Sequence, residues 1–102
     1  MRASSPVVLQ NTNMITEEVA IINKLGLHAR AAAKLVTIAS AYKADVQLAL
    51  NGKQVNGKSI MGVMMLAAAK GTKVTLTISG NDEEQAMAAL IELINNKFDE
   101  EQ

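Results

Sequence analysis

The sequence predicts an α+β fold in which helices cover one face of an antiparallel sheet. Strand and helix periodicities alternate in the order β-α-β-β-α-β-α, and Asn51-Gly52 is a strong signal for a two-residue hairpin. A helical crossover makes strands one and two parallel, and the hairpin reverses strand three. If strand four runs parallel to strand three, its insertion between strands one and two gives a wholly antiparallel sheet. The apolar residues of the strands alternate, so the second face can contact water.

Length and composition exclude several classes of protein. A chain of 102 residues fits one domain with a modest core. With no cysteine and one histidine, neither a disulfide nor a transition-metal site is expected, no cofactor is implied, and the expected location is the cytoplasm. One Phe, one Tyr and no Trp provide few stacking platforms, so nucleic-acid binding is not expected. The apolar run Val7 to Leu9 is too short for a signal peptide or a membrane span.

The chain divides into three segments. Residues 1–13 are expected to form a disordered N-terminal extension, residues 14–98 the folded domain, and residues 99–102 a frayed charged tail. The β-branched run over residues 15–22 is the first predicted strand. The first helix is expected over residues 29–42. Its predicted buried stripe is Ala32, Leu35, Val36, Ala39 and Tyr42, and a second stripe of small and polar residues contains Arg30, Ala33, Thr37 and Ser40.

The second half of the chain supplies the remaining elements. Residues 46–50 and 53–55 are the two strands of the hairpin, and Ser59 is the expected N-cap of a second helix over residues 60–68, closed by Lys70-Gly71. Residues 74–78 alternate as the fourth strand. Gly80-Asn81-Asp82 is expected to cap the last helix, whose predicted buried stripe is Ala86, Leu90, Leu93 and Ile94.

His28 lies in the most informative stretch, Gly26-Leu27-His28-Ala29-Arg30 followed by three alanines. The glycine and the following helix formers place His28 at the start of a helix, where unpartnered backbone N–H groups and the helix dipole favour an anion such as phosphate. Arg30 adds a forked cation suited to phosphate oxygens. The same field disfavours imidazolium and keeps a ring nitrogen free as a nucleophile. These features indicate a phosphorylatable histidine; a histidine that only caps the helix or packs on the surface is the alternative.

Charge and apolar patterning indicate where a partner would approach. Eight basic residues lie between Lys24 and Lys73 against one acid, whereas seven acids lie between Asp82 and the C-terminus against one lysine. The basic half contains the histidine, which fits an anionic group or an acidic partner. Ile60, Met61 and Met64 share one side of the second helix and are predicted to form an apolar docking face, because Val63, Leu66 and Ala67 already supply an inward stripe. The alternative is that the methionine stripe belongs to the core.

Two motifs at a spacing of about thirty residues resemble those of the histidine-containing phosphocarrier (HPr) family of the bacterial phosphotransferase system. They are Gly26-Leu27-His28-Ala29-Arg30 and Lys58-Ser59-Ile60-Met61-Gly62. The resemblance implies an open-faced sandwich with strand order 1-4-2-3. It also implies that His28 accepts a phosphoryl group from Enzyme I and donates it to an Enzyme IIA domain, that Arg30 stabilises the phosphate, and that the protein is a monomeric carrier rather than an enzyme.

Ala31 departs from the family pattern, which usually has proline directly after the arginine. Alanine adds an N–H donor and loosens the first turn slightly. The departure is therefore expected to affect the rate of phosphoryl transfer, and it bears on whether the protein acts in sugar uptake or in the nitrogen-related branch of the system. Ser59 matches the family's regulatory serine, which an HPr kinase/phosphorylase modifies in hosts that contain that enzyme; a plain N-cap serine is the alternative. A regulatory module without efficient phosphoryl transfer is the competing function.

Overall fold

The computed structural model describes residues 14–100, so the expected N-terminal extension lies outside the described residues. The elements follow the predicted order. They are β1 (Ile15–Ala20), α1 (Ala29–Ser40), β2 (Asp45–Leu50), β3 (Lys53–Asn56), α2 (Ile60–Met65), β4 (Lys73–Ser79), α3 (Glu83–Asn95) and a short 3-10 helix (Lys97–Asp99).

The four strands form one antiparallel sheet in the order β1-β4-β2-β3. This confirms the predicted fold class and the strand order that the family resemblance implied. In the register, Val19 of β1 lies opposite Val74 of β4, and Leu76 of β4 lies opposite Leu48 of β2. Leu48 in turn faces Val55 of β3. Apolar side chains therefore meet on one face across all four strands, which fixes the register because a one-residue shift would reverse every side chain.

The core lies between this face of the sheet and the helices. β4 alternates between fully buried residues and half-buried threonines and a serine, the pattern of a sheet with one covered and one open face. Leu35 of α1, Val63 of α2 and Leu90 of α3 are fully buried against it. In α3 the predicted stripe is confirmed, with Met87 as an additional member. In α1, Ala31 is buried and Val36 is only partly buried.

Two helix ends differ from the prediction. α1 ends at Ser40, two residues before Tyr42. α2 ends at Met65 because Ala67 adopts a left-handed conformation, with φ of 53°, which an α-helix cannot continue through. Ala67 is consequently exposed rather than inward-facing, and Lys70-Gly71 belongs to the turn before β4.

Asp82 precedes α3 as predicted but does not cap it with its side chain. Its carboxylate instead accepts hydrogen bonds from the backbone N–H groups of Lys43 and Ala44, at 2.8 and 2.9 Å. The amide of Lys43 is the largest of the influences that lower the pKa of Asp82 below its ordinary value. Asp82 therefore ties the loop between α1 and β2 to the start of α3.

The chain end departs from the expectation of a tail frayed from residue 99. Phe98 is fully buried, and Lys97, Phe98 and Asp99 all have left-handed backbone angles, with φ of 58°, 55° and 62°. This reversal carries Glu100 back toward the start of α1, where it makes hydrogen bonds. Residues 97–100, here called the C-terminal turn, are thus part of the fold, while residues 101–102 lie outside the described residues.

Within residues 14–100, no helix is long and apolar enough to span a membrane. The same part of the chain contains no cluster of three or more side chains arranged to hold a metal ion.

Candidate functional site

The backbone that leads into His28 at the start of α1, residues 26–27, is tightly packed. Gly26 has a φ of +70°, and a Cβ on it would lie 2.4 Å from the carbonyl oxygen of Ala68, so only glycine fits without displacement. The neighbouring Leu27 is buried, and its amide donates to the same Ala68 oxygen at 2.9 Å. The segment after α2 therefore fixes the backbone from which the histidine side chain projects.

His28 is the N-cap of α1, as the sequence predicted, with extended backbone angles. Its Nδ1 accepts a hydrogen bond from the backbone N–H of Arg30 at 3.3 Å, and its Nε2 lies 2.6 Å from Oε2 of Glu100. Because an amide N–H can only donate, Nδ1 carries a lone pair. The proton of the neutral ring is therefore on Nε2 and is donated to Glu100.

Glu100 is held in turn by Asn23. The Asn23 side chain is fully buried, and its Nδ2 donates to Gly26 O at 2.8 Å and to Glu100 Oε1 at 3.1 Å. Burial raises the pKa of Glu100, but the hydrogen bonds from Asn23 and His28 and the attraction of nearby cations, Lys34 and the protonated form of His28, outweigh it, so the pKa lies below the ordinary value. Glu100 is therefore a carboxylate at neutral pH.

An open depression surrounds the imidazole. Its lining includes three basic side chains and two carboxylates in addition to His28, whose own side chain is 27% exposed. The full lining is Lys24, Leu25, His28, Ala29, Arg30, Lys34, Asp99 and Glu100. The depression combines an accessible imidazole, a helix N-terminus and three cationic side chains, groups that suit the binding of an anion.

Arg30 is exposed beside the histidine, and within residues 14–100 no carboxylate forms an ion pair with it. It also lines a neighbouring groove together with Ala33 and Thr37. The Thr37 hydroxyl donates to Ala33 O at 2.8 Å, so this part of the groove presents small, internally satisfied groups. The structure thus brings Arg30, Ala33 and Thr37 together on one side of α1, as the sequence predicted.

Ser59 is the N-cap of α2, and its hydroxyl accepts a hydrogen bond from the Gly62 amide at 3.0 Å. It does not line the depression around His28. Beyond it, the predicted apolar residues Ile60, Met61 and Met64 are all exposed, with Met61 at 72%. The sequence interpretation missed Met65, which is 60% exposed and lies one turn after Met61 on the same face of α2. The prediction that Ile60, Met61 and Met64 face outward rather than into the core is confirmed.

Sequence reasoning also missed Glu100, Asn23, Lys24 and Lys34 as neighbours of His28. Seventy-two positions separate His28 from Glu100, so no local motif connects them. The one available signal was the segregation of acids at the C-terminal end and bases around the histidine, which favours contact between the two regions.

Comparisons with known proteins agree with this geometry. Residues 15–96 match the family model described as PTS HPr component phosphorylation site. The chain is 55% identical over 87 residues to phosphocarrier protein HPr of Cupriavidus necator, covering 85% of this chain and 98% of that protein. It is 58% identical over 84 residues to the HPr of Pseudomonas aeruginosa, covering 81% and 93%.

Solved structures give the same result. A crystal structure of HPr from Thermoanaerobacter tengcongensis matches with a TM-score of 0.83 at 44% identity, covering 86% of this chain and 99% of that one. Another crystal structure from the same organism, described as an HPr dimer, matches with a TM-score of 0.69 at 41% identity, covering 94% and 99%.

Proposed function

The chain belongs to the HPr phosphocarrier family, and on that premise we propose that His28 accepts a phosphoryl group from the phosphohistidine of Enzyme I and passes it to an Enzyme IIA domain. The observation that carries the proposal is the placement of the chain's only histidine at the N-terminus of α1, within a depression lined by three basic side chains.

The hydrogen bonds of the imidazole support Nδ1 as the accepting nitrogen. Nε2 is engaged with Glu100, whereas Nδ1 carries a lone pair and is approached only by the Arg30 amide, at 3.3 Å. In the transfer, the Nδ1 lone pair forms a P–N bond while the P–N bond of the donor breaks and its electron pair returns to the donor imidazole. The proton on Nε2 of His28 stays in place, so the ring acquires positive charge. No external acid, base, metal or cofactor is required by this balance.

The start of α1 supplies the stabilisation of the transferred group. The first intrahelical bond is donated by the amide of Ala32 to His28 O, so the amides of residues 29–31 have no partner within the helix. A phosphoryl group on Nδ1 meets these N–H groups and the positive end of the helix dipole. The Arg30 guanidinium reaches the same oxygens from the exposed side. Such transfer depends mainly on positioning and charge stabilisation.

The exposed face of α2 is the proposed docking surface for Enzyme I and Enzyme IIA. Ile60, Met61 and Met64 form an apolar patch of adaptable side chains, to which Met65 is added. Ala33 and Thr37 provide the small groove on α1. The basic residues around His28 suit partners with an acidic surface.

Ser59 is proposed as a regulatory phosphorylation site in hosts that contain an HPr kinase/phosphorylase. Its hydroxyl lies at the N-terminus of α2, beside the apolar patch. A phosphate there adds a charge of about −1.5 to −2 at the edge of the docking surface and repels an acidic partner. We further propose that the protein acts as a monomeric cytoplasmic carrier, in sugar uptake or in the nitrogen-related branch of the system.

The decisive experiment is incubation with phosphoenolpyruvate and Enzyme I, followed by intact-mass measurement before and after acid treatment. The expected result is the gain of one acid-labile phosphoryl group, which His28→Ala lacks while keeping the circular-dichroism spectrum of the parent. A wild-type gain that persists in His28→Ala contradicts the assignment. No gain with active Enzyme I favours the alternative, a regulatory module controlled through Ser59.

The docking surface is tested separately by calorimetric titration with Enzyme I. Met61→Glu is expected to weaken binding by at least tenfold, since it places a carboxylate in the apolar patch. Met14→Glu is the matched control, because Met14 is also an exposed methionine, at 55%, but lies immediately before β1 and outside α2. Equal affinities for the two variants refute the proposed surface. Ser59→Asp is expected to weaken binding without altering His28.

A further inference from the structure

We infer that Glu100 is a positioning residue for His28: its carboxylate holds the imidazole in the tautomer that transfers the phosphoryl group and balances the charge that the ring acquires. The inference rests on the proposed function, since it assigns Glu100 a part in the same transfer. The geometry that carries it is the chain of contacts from Asn23 to Glu100 to His28, at 3.1 and 2.6 Å.

The buried Asn23 side chain fixes the direction of these hydrogen bonds. Both contacts of Asn23 Nδ2, with Gly26 O and Glu100 Oε1, are to acceptors, and Oδ1 of the same amide is buried with no partner among the described residues. A flipped amide would place Oδ1 against two oxygens, so Nδ2 must face Glu100. Glu100 consequently receives one donor on each oxygen, from Asn23 and from His28.

A carboxylate is the only group of this shape that satisfies both donors. An amide in its place has a single oxygen, so its NH₂ group must face either Asn23 Nδ2 or the Nε2 proton of His28. In the second orientation it favours the opposite tautomer, with the proton on Nδ1, where it meets the donating amide of Arg30. Glu100 thus selects the ring form that leaves the Nδ1 lone pair available.

The carboxylate also lies where charge develops. When the Nδ1 lone pair forms the P–N bond, the ring becomes a protonated phosphoimidazole, and its Nε2–H already donates to Glu100. The other charged groups facing the ring are Lys24 from the preceding loop, Arg30 and Lys34 from α1, and Asp99 from the C-terminal turn. Within residues 14–100, Glu100 is the one carboxylate in direct contact with the imidazole, and this contact becomes an ion pair when the ring acquires positive charge. The Glu100 side chain is only 15% exposed, which limits competition from water.

Glu100→Gln tests the inference, with Glu92→Gln as the matched control that removes one negative charge from an exposed position of α3 outside the depression. In nitrogen-15 NMR of the free protein at a pH where the ring is neutral, wild type and Glu92→Gln are expected to show a single Nε2–H tautomer, and Glu100→Gln a mixture. The rate of phosphorylation by Enzyme I is expected to fall about tenfold in Glu100→Gln, equivalent to about 1.4 kcal/mol, and to change less than twofold in Glu92→Gln.

The outcomes separate this inference from the proposed function. If wild type is phosphorylated but Glu100→Gln matches it in both tautomer and rate, Glu100 has no positioning role and the phosphocarrier assignment stands. An equal loss of rate in both variants would show that the change in net charge alone lowers the rate, and it also overturns the inference. If wild type accepts no phosphoryl group, the proposed function fails, and the tautomer spectra still decide whether Glu100 orients the ring.

Discussion

Substitution of Gly26 by alanine tests how strictly packing fixes the backbone that precedes His28. Gly26 has a φ of +70° and its added Cβ would lie 2.4 Å from Ala68 O, whereas Gly71 has a φ of +90° with nothing within 4 Å of its added Cβ. Both substitutions incur the left-handed backbone cost, about 1–2 kcal/mol. Only Gly26→Ala must also displace a backbone carbonyl.

The displaced carbonyl is the acceptor for the Leu27 amide at 2.9 Å, and the loss of such a hydrogen bond costs about 0.5–1.5 kcal/mol. Gly26→Ala is therefore expected to lower the free energy of unfolding by about 1.5–3.5 kcal/mol, and Gly71→Ala by about 1–2 kcal/mol. Urea unfolding monitored by circular dichroism measures both. Equal losses would refute the reasoning, because they would show that the Ala68 carbonyl does not confine Gly26. Phosphoryl acceptance is expected to fall in Gly26→Ala alone, since His28 follows the displaced segment.

Three further predictions follow from single contacts. Asp82 accepts two backbone hydrogen bonds, and its pKa is lowered. Its contribution to stability is therefore present above the unfolded-state pKa of about 3.9 and is lost as the pH falls through the lower folded-state pKa. The melting temperatures of Asp82→Asn and wild type should consequently differ at pH 7 and converge in strong acid. Ser59→Ala removes the cap of α2 and should lower the free energy of unfolding by about 0.5–2 kcal/mol in urea titrations, with Ser59→Asp retaining most of it. Ala31→Pro should fold and should change the free energy of unfolding by no more than about 1 kcal/mol, because the Ala31 amide donates no hydrogen bond within the first turn. A larger loss of stability, measured by calorimetry, would show that the first turn of α1 cannot accept a proline ring.

The order of elements and the position of His28 could be predicted because both depend on local signals. Alternation identifies β4, the hairpin signal identifies the turn between β2 and β3, and the glycine before His28 marks the start of α1. The strand order needed the family resemblance, since it depends on which strands pair across long stretches of chain.

The partners of His28 could not be predicted from local pattern. The contact with Glu100 depends on the burial of Phe98 and on three successive left-handed residues, of which none is glycine, whereas sequence reasoning assigns such conformations to glycine first. The early end of α2 was missed for the same reason, because Ala67 adopts a left-handed conformation without being glycine.

The C-terminal turn combines two opposing energies. Three non-glycine residues in left-handed conformations cost roughly 3–6 kcal/mol in all, while burial of Phe98 contributes about 1.5–3 kcal/mol and its carbonyl accepts a hydrogen bond from Lys34 at 2.7 Å, with Glu100 adding its own contacts. These quantities partly offset each other, so the turn is expected to open at a free energy below that of global unfolding while the sheet stays folded. Amide hydrogens of residues 97–100 should consequently exchange with solvent by local opening, orders of magnitude faster than those of β4. The imidazole is then held by the carboxylate in the dominant closed state and released from it only in the minor open state, while the sheet stays folded.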